Sequence, residues 1–116
     1  MGGLEELRVL LLDDGEMATE SLKAWLDDAR THVIVLRDFF EVPPLLDSQG
    51  FDVLIGHEVF LLVAKETNAP GARVLLTSHV DEWPPEKLEV LGVRAVLTPE
   101  TTEAEVVQLL AELRAR

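Results

Sequence analysis

Five short apolar segments recur along the chain, and polar residues, glycine or proline follow each of them. They cover residues 7–12, 32–36, 51–56, 73–77 and 94–97. Runs of this length that are rich in leucine, valine and isoleucine are typical of strands buried on both faces of a parallel sheet. The hydrophobic pattern therefore predicts five strands.

Stretches with helical spacing of apolar residues separate these strands. After Gly15, the residues Leu22, Leu26 and Ala29 fall on one helix face. Pro43 and Pro44 can open a short helix through residue 48, since proline fits a first turn. The other predicted helices cover residues 59–66, residues 84–91 with Gly92 at the end, and a last stretch that carries Val106, Leu109, Leu110 and Leu113.

The strict alternation of strand and helix predicts an α/β fold. Parallel strands joined by right-handed crossovers place helices on both faces of one sheet, which gives three layers. Five such units predict a flavodoxin-like, doubly wound sheet with strand order 2-1-3-4-5. The length of 116 residues suits a single domain that covers residues 1–116.

Charge limits the classes of partner. Aspartate and glutamate number 22 against 10 lysines and arginines, for a formal charge of −12. A field of this sign repels nucleic acid and anionic lipid, so a protein partner or a cation fits better. There is no cysteine, signal sequence or apolar run long enough to span a bilayer. We expect a cytoplasmic protein that binds neither membranes nor nucleic acid.

Polar residues that follow the predicted strands form the candidate site. Ligands of doubly wound sheets bind beyond the carboxyl ends of the strands. Asp13 and Asp14 follow the first strand, and paired carboxylates suit Mg²⁺, although the same residues also suit a helix cap. The other residues at this edge are His57, Glu58, Thr77, Ser78, His79, Thr98 and Pro99.

Four segments together resemble the receiver domains of bacterial response regulators, of the CheY-like type. Residues 9–14 are similar to the first strand and acidic pair of that family, and residues 51–55 to the run before its phosphoacceptor. Residues 74–78 resemble the strand that ends in a switch hydroxyl, here Thr77, and residues 92–99 the segment that ends in Lys-Pro. The resemblance covers nearly the whole chain and implies a role in two-component phosphorelay signalling.

Three departures from the family pattern indicate a pseudo-receiver. His57 stands where the family has its phosphoacceptor aspartate, and Thr98 stands where it has the lysine that contacts the phosphoryl group. The loop after the acceptor is also shortened. An imidazole supplies no anionic oxygen to a bridging cation, and a threonine supplies no positive charge to the product. We therefore expect no phosphorylation by the usual aspartate route.

Alternative interpretations of the edge residues stay open. Glu58, one residue further on, could occupy the acceptor position, either as a working acceptor or as a mimic of the phosphorylated state. His57 and His79 beside carboxylates could instead hold Zn²⁺, although two exposed loop histidines explain the same pattern. A small metal-dependent enzyme built on Asp13, Asp14, His57 and Glu58 is a further alternative.

The predicted function is a receiver-like signalling module, not an enzyme, that acts by protein–protein interaction. The expected partner is a signalling or kinase-type protein. The apolar run 59–64 has no polar face, so it either packs against the sheet or marks an interface, including a homodimer contact. Phe39 and Phe40 raise the same question.

Overall fold

The protein is described by a computed structural model that covers residues 7–12, 20–66 and 71–114. Its strands are β1 (Arg8–Leu12), β2 (His32–Leu36), β3 (Val53–Gly56), β4 (Ala72–Leu76) and β5 (Val93–Leu97). Its helices are α1 (Glu20–Asp28), α2 (Val42–Ser48), α3 (Glu58–Glu66), α4 (Pro85–Leu91) and α5 (Glu103–Arg114). Two single 3₁₀ turns, Phe39–Glu41 and Val80–Glu82, precede α2 and α4.

The strands form one parallel sheet in the order β2-β1-β3-β4-β5, as the alternation predicts. β1 lies in register with β2 and β3, and Gly56 at the end of β3 is paired with Leu75 of β4. The ends of β3 and β4 therefore reach the same edge of the sheet. The fold is the predicted flavodoxin-like, three-layered arrangement.

Two hydrophobic cores lie on opposite faces of the sheet. Helices α1 and α5 cover one face, where Leu22, Leu26, Val106 and Leu110 pack against alternate residues of β1, β3 and β4. Helices α2, α3 and α4 cover the other face through residues that include Val42, Phe60, Leu61, Ala64 and Leu88. The central strands are buried on both faces, which explains their continuous apolar sequence.

The run 59–64 divides between core and surface. Phe60, Leu61 and Ala64 are buried, whereas Val59 and Leu62 remain substantially exposed. Packing against the sheet therefore accounts for part of this run only. Within the described residues, no helix combines the length and apolar character needed to cross a membrane.

Candidate functional site

A cleft of about 500 Å³ opens at the carboxyl edge of β1, β3 and β4. One wall is the end of β3 and the start of α3, with His57 and Glu58. The opposite wall is the segment between β4 and α4. The floor consists of apolar strand ends. The described residues that line it are Leu12, His57, Glu58, Leu75, Leu76, Thr77, Ser78, His79, Glu82 and Trp83. The cleft therefore brings together most of the edge residues that the sequence predicts.

His57 is the single residue between β3 and α3, and it caps the helix. Its Nδ1 accepts hydrogen bonds from the amides of Val59 (3.2 Å) and Phe60 (3.4 Å), and its carbonyl accepts one from Leu61. These amides belong to the first turn of α3, where no intrahelical acceptor exists. A ring nitrogen can accept such bonds through its lone pair. The side chain at the predicted acceptor position therefore caps α3.

The shortened loop of the sequence prediction is confirmed. β3 ends at Gly56 and α3 begins at Glu58, so one residue replaces a loop. Glu58 lies in the first turn of α3, is exposed and borders the cleft. A carboxylate at this place interacts favourably with the helix dipole. His57 and Glu58, the two candidates for the acceptor position, therefore both stabilise the start of α3.

Thr77 directs its hydroxyl into a local turn. Its backbone amide donates to the carbonyl of Leu97 at 3.0 Å, which joins the ends of β4 and β5. Its Oγ1 accepts a hydrogen bond from the amide of His79 at 3.0 Å. This bond shapes the start of the segment that forms the far wall of the cleft. His79 is exposed.

Thr98 lies away from the cleft and borders a second cavity. Its amide donates to Oγ1 of Thr101 (2.9 Å), and its own hydroxyl accepts from the amide of Glu100 (3.3 Å). The cavity, of about 320 Å³, is enclosed by α1, α5 and the ends of β4 and β5, and Trp25 and Pro99 are among its lining residues. Thr98 therefore closes a turn before α5, in the place where the resembling family has a lysine.

Asp13 and Asp14, the candidate Mg²⁺ ligands, lie outside the described residues. Among the residues that are described, no group of three or more histidine, aspartate or glutamate side chains is arranged to hold a metal ion. His57 and His79, the alternative Zn²⁺ ligands, therefore do not belong to such a group in the described part of the chain. Nδ1 of His57 is also occupied by the helix amides.

Glu82 and Trp83 belong to the cleft but were missed by the sequence interpretation. Glu82 is the last residue of the 3₁₀ turn Val80–Glu82, and Trp83 follows it. A turn of three residues is too short to produce a periodic pattern. Nζ of Lys87 lies 5.5 Å from the centroid of the Trp83 ring and donates to the carbonyl of Glu82 (3.4 Å). Only their position in the sequence could have indicated these two residues, because they follow β4, which ends at the same edge of the sheet as the cleft.

Comparison with solved structures finds receiver domains. The signal receiver domain of an HD domain-containing protein from Pseudomonas fluorescens Pf-5 superposes with a TM-score of 0.80 at 20% identity, over 96% of this chain and 88% of that one. The receiver domain of Francisella response regulator 1452 gives a TM-score of 0.79 at 19% identity, over 96% and 98%.

A third similar structure contains a metal ion. The receiver domain of sensor histidine kinase PA1611 from Pseudomonas aeruginosa PAO1 gives a TM-score of 0.75 at 14% identity, over 96% of this chain and 99% of that one. It has a magnesium ion coordinated in its active-site cleft. No protein-family model and no curated protein matches this sequence. At these identities the likeness shows the fold, which is that of CheY-like response-regulator receiver domains.

Proposed function

We propose that this chain is a receiver-like signalling module that acts by binding a protein partner and does not accept a phosphoryl group by the aspartate route. The observation that carries the proposal is the geometry of His57. The residue at the acceptor position has no carboxylate, and its Nδ1 accepts two helix amides instead. The likeness to receiver domains of known structure supports a signalling role for the fold.

The surroundings of His57 support the same proposal. A receiver site needs positive charge close to the transferred phosphoryl oxygens, since such transfer depends on electrostatic stabilisation. Thr98 supplies a hydroxyl to a turn at another cavity. Among the described residues that line the cleft there is no lysine or arginine, and the acidic side chains are Glu58 and Glu82.

The proposal does not depend on whether the cleft binds magnesium. The similar structure from Pseudomonas aeruginosa coordinates this ion in its cleft. Here the described oxygen donors around the cleft do not form a set of ligands by themselves, and the acidic pair Asp13 and Asp14 lies outside the described residues. The proposal therefore assigns no step to the ion, and metal-dependent catalysis is not part of it.

Incubation with acetyl phosphate and MgCl₂, followed by intact-protein mass spectrometry, tests the proposal. A receiver domain that keeps both the acceptor aspartate and the lysine serves as the positive control under identical conditions. We expect the control to gain one phosphoryl group and this chain to gain none. A gain here would refute the proposal, and its loss in Glu58→Gln would identify Glu58 as the acceptor of an active receiver.

A second, narrower hypothesis is that Glu58 mimics a phosphorylated acceptor. Its exposed carboxylate keeps a constant negative charge at the edge of the cleft, which is the property that a phosphorylated acceptor would supply. If Glu58 replaces the signal in this way, Glu58→Gln changes the affinity for a partner, while Glu58→Asp retains most of it. Equal affinity of the wild type and the Gln variant would reject the hypothesis.

A further inference from the structure

An exposed apolar strip runs across the outer surface of α3 and α4. Val59 is 51% exposed, Leu62 is 42% exposed and Val90 of α4 is 64% exposed. Val59 and Leu62 are three residues apart, so they are neighbours on one helix face. Lys65 continues that face, and its Nζ donates to the carbonyl of Val90 at 2.6 Å. This hydrogen bond joins α3 to α4 beside the exposed apolar side chains.

Acidic side chains are numerous on α3, on α4 and on the 3₁₀ turn that precedes α4. Residues 58–66 and 80–91 carry six acidic side chains and two lysines. The acidic residues are Glu58, Glu66, Asp81, Glu82, Glu86 and Glu89, all exposed. None of them forms an ion pair with another described residue.

The two lysines of this surface are already engaged within the fold. Lys65 donates to the carbonyl of Val90, and Lys87 lies over Trp83 and donates to the carbonyl of Glu82. The surface therefore combines exposed apolar side chains with acidic side chains whose charges are not paired with a cation in this part of the chain. Its chemistry is complementary to a segment that carries apolar and basic residues together.

We propose that the surface formed by α3 and α4, centred on Val59, Leu62 and Val90, binds a basic amphipathic helix of a partner protein. This inference rests on the proposed function, since it names the partner surface of the same signalling module. The partner places its apolar residues on the strip and its lysines or arginines against the acidic side chains of this surface. A helix fits better than an added strand, because this surface consists of helices and offers no free strand edge.

Charge decides between this partner and a second copy of the chain. A symmetric dimer through this surface would bring the same six carboxylates of both copies together. Each copy also carries a formal charge of −12, so approach is opposed at long range as well. Basic residues on a partner remove both costs and accelerate association at low salt.

A designed peptide tests the inference with the whole chain. The peptide has about 14 residues, roughly four helical turns, with leucines at helical spacing on one face and lysines elsewhere. A control peptide of the same composition distributes its leucines around the helix. Backbone amide shifts in NMR locate binding, and a titration measures the Kd. We expect shifts confined to α3, α4 and the segment between β4 and α4, with weaker binding at higher salt.

Matched variants separate this surface from general charge attraction. Leu62→Ser together with Val90→Ser should weaken binding by about tenfold, as loss of central apolar contacts does. Val107→Ser, at a 37% exposed valine of α5, is the control and should not. Likewise Glu86→Lys with Glu89→Lys should weaken binding, whereas Asp28→Lys with Glu112→Lys, the same change of charge on α1 and α5, should weaken it less. All of these side chains are exposed, so thermal unfolding should stay near that of the wild type.

Four other results would contradict the proposed binding surface. Shifts on another face, equal binding of the control peptide, or equal loss in the control variants would overturn the inference. Self-association that depends on Leu62 and Val90 would also overturn it, because the occupant would then be a second copy. None of these results depends on phosphorylation. Phosphoryl uptake from acetyl phosphate would refute the proposed function while peptide binding at this surface could still be measured.

Discussion

Nη1 of Arg73 lies 2.6 Å from the position that the Cβ of an alanine at residue 92 would occupy. The same nitrogen donates a hydrogen bond to the carbonyl of Leu91 at 3.2 Å. Gly92 has a φ of +69°, in the left-handed region, and ends α4. A positive group at the last carbonyls of a helix interacts favourably with its dipole. The start of β4 thus fixes the end of α4 through one side chain and one glycine.

Gly92→Ala should destabilise the fold by about 1–2 kcal/mol, the cost of a left-handed conformation for a residue with a Cβ. Displacement of the Arg73 guanidinium adds to this cost. Urea denaturation monitored by circular dichroism measures the change. Gly50→Ala is the matched control, because no heavy atom lies within 4 Å of its added Cβ and its φ is not in the left-handed region. A loss as large in Gly50→Ala would contradict the explanation.

Gly56→Ala should destabilise by about 2 kcal/mol or more, as overpacking of a core does. A Cβ at Gly56 would overlap the ring of Phe60, which belongs to α3 and is fully buried. A double-mutant cycle with Phe60→Leu measures the coupling between the two positions. We expect Gly56→Ala to cost less in the Leu background, where the ring is absent. Strict additivity would show that the clash is not the cause.

His57→Ala should cost about 1 kcal/mol of stability, the usual value of an N-cap side chain. His57→Asn should retain most of the stability, because its side-chain oxygen can accept from the same amides. Chemical denaturation of both variants provides the measurement. His79→Ala is the control at the opposite wall, where the hydrogen bond comes from the backbone amide and survives truncation. Equal stability of His57→Ala and wild type would exclude the capping role.

Thr102→Ala should cost about 1 kcal/mol, since it removes the capping box of α5. The hydroxyl of Thr102 accepts from the amide of Glu105 (3.3 Å), and a Glu105 carboxylate oxygen accepts from the amide of Thr102 (3.0 Å). Thr102→Ser keeps the hydroxyl and should remain close to wild type. Thermal unfolding compares the two. Similar loss in both variants would indicate that packing of the methyl group, not capping, sets the cost.

The fold was predictable because its central strands are buried on both faces. Val9, Leu10, Leu11 and Leu12 contact two different cores, so their continuous apolar run leaves little choice besides a parallel sheet. Strand boundaries were less predictable. Residues 51 and 52 read as strand, yet β3 begins at Val53, and Oδ2 of Asp52 accepts from the amide of Arg8 instead. A side-chain acceptor of this kind leaves no periodic signal.

The presence of polar residues around a cleft at this edge was predictable, and the geometry of the candidate site was not. Parallel strands end at one edge, which gathers His57, Glu58 and Thr77 around the cleft. The sequence could not tell which face of the sheet each strand end turns towards, and Thr98 borders the cavity beside α1 and α5 instead. Nor is histidine among the residues that strongly favour an N-cap, so the capping role of His57 had no sequence signature.

The one-residue junction between β3 and α3 has a mechanical consequence. Gly56 is held by its pairing with β4, and the next residue already caps the helix, so the chain has no slack with which α3 could pivot on the sheet. We therefore expect this wall of the cleft to move less than the opposite wall. We expect a change in the width of the cleft to come from residues 77–84, where a turn, a 3₁₀ segment and one proline, Pro84, separate β4 from α4.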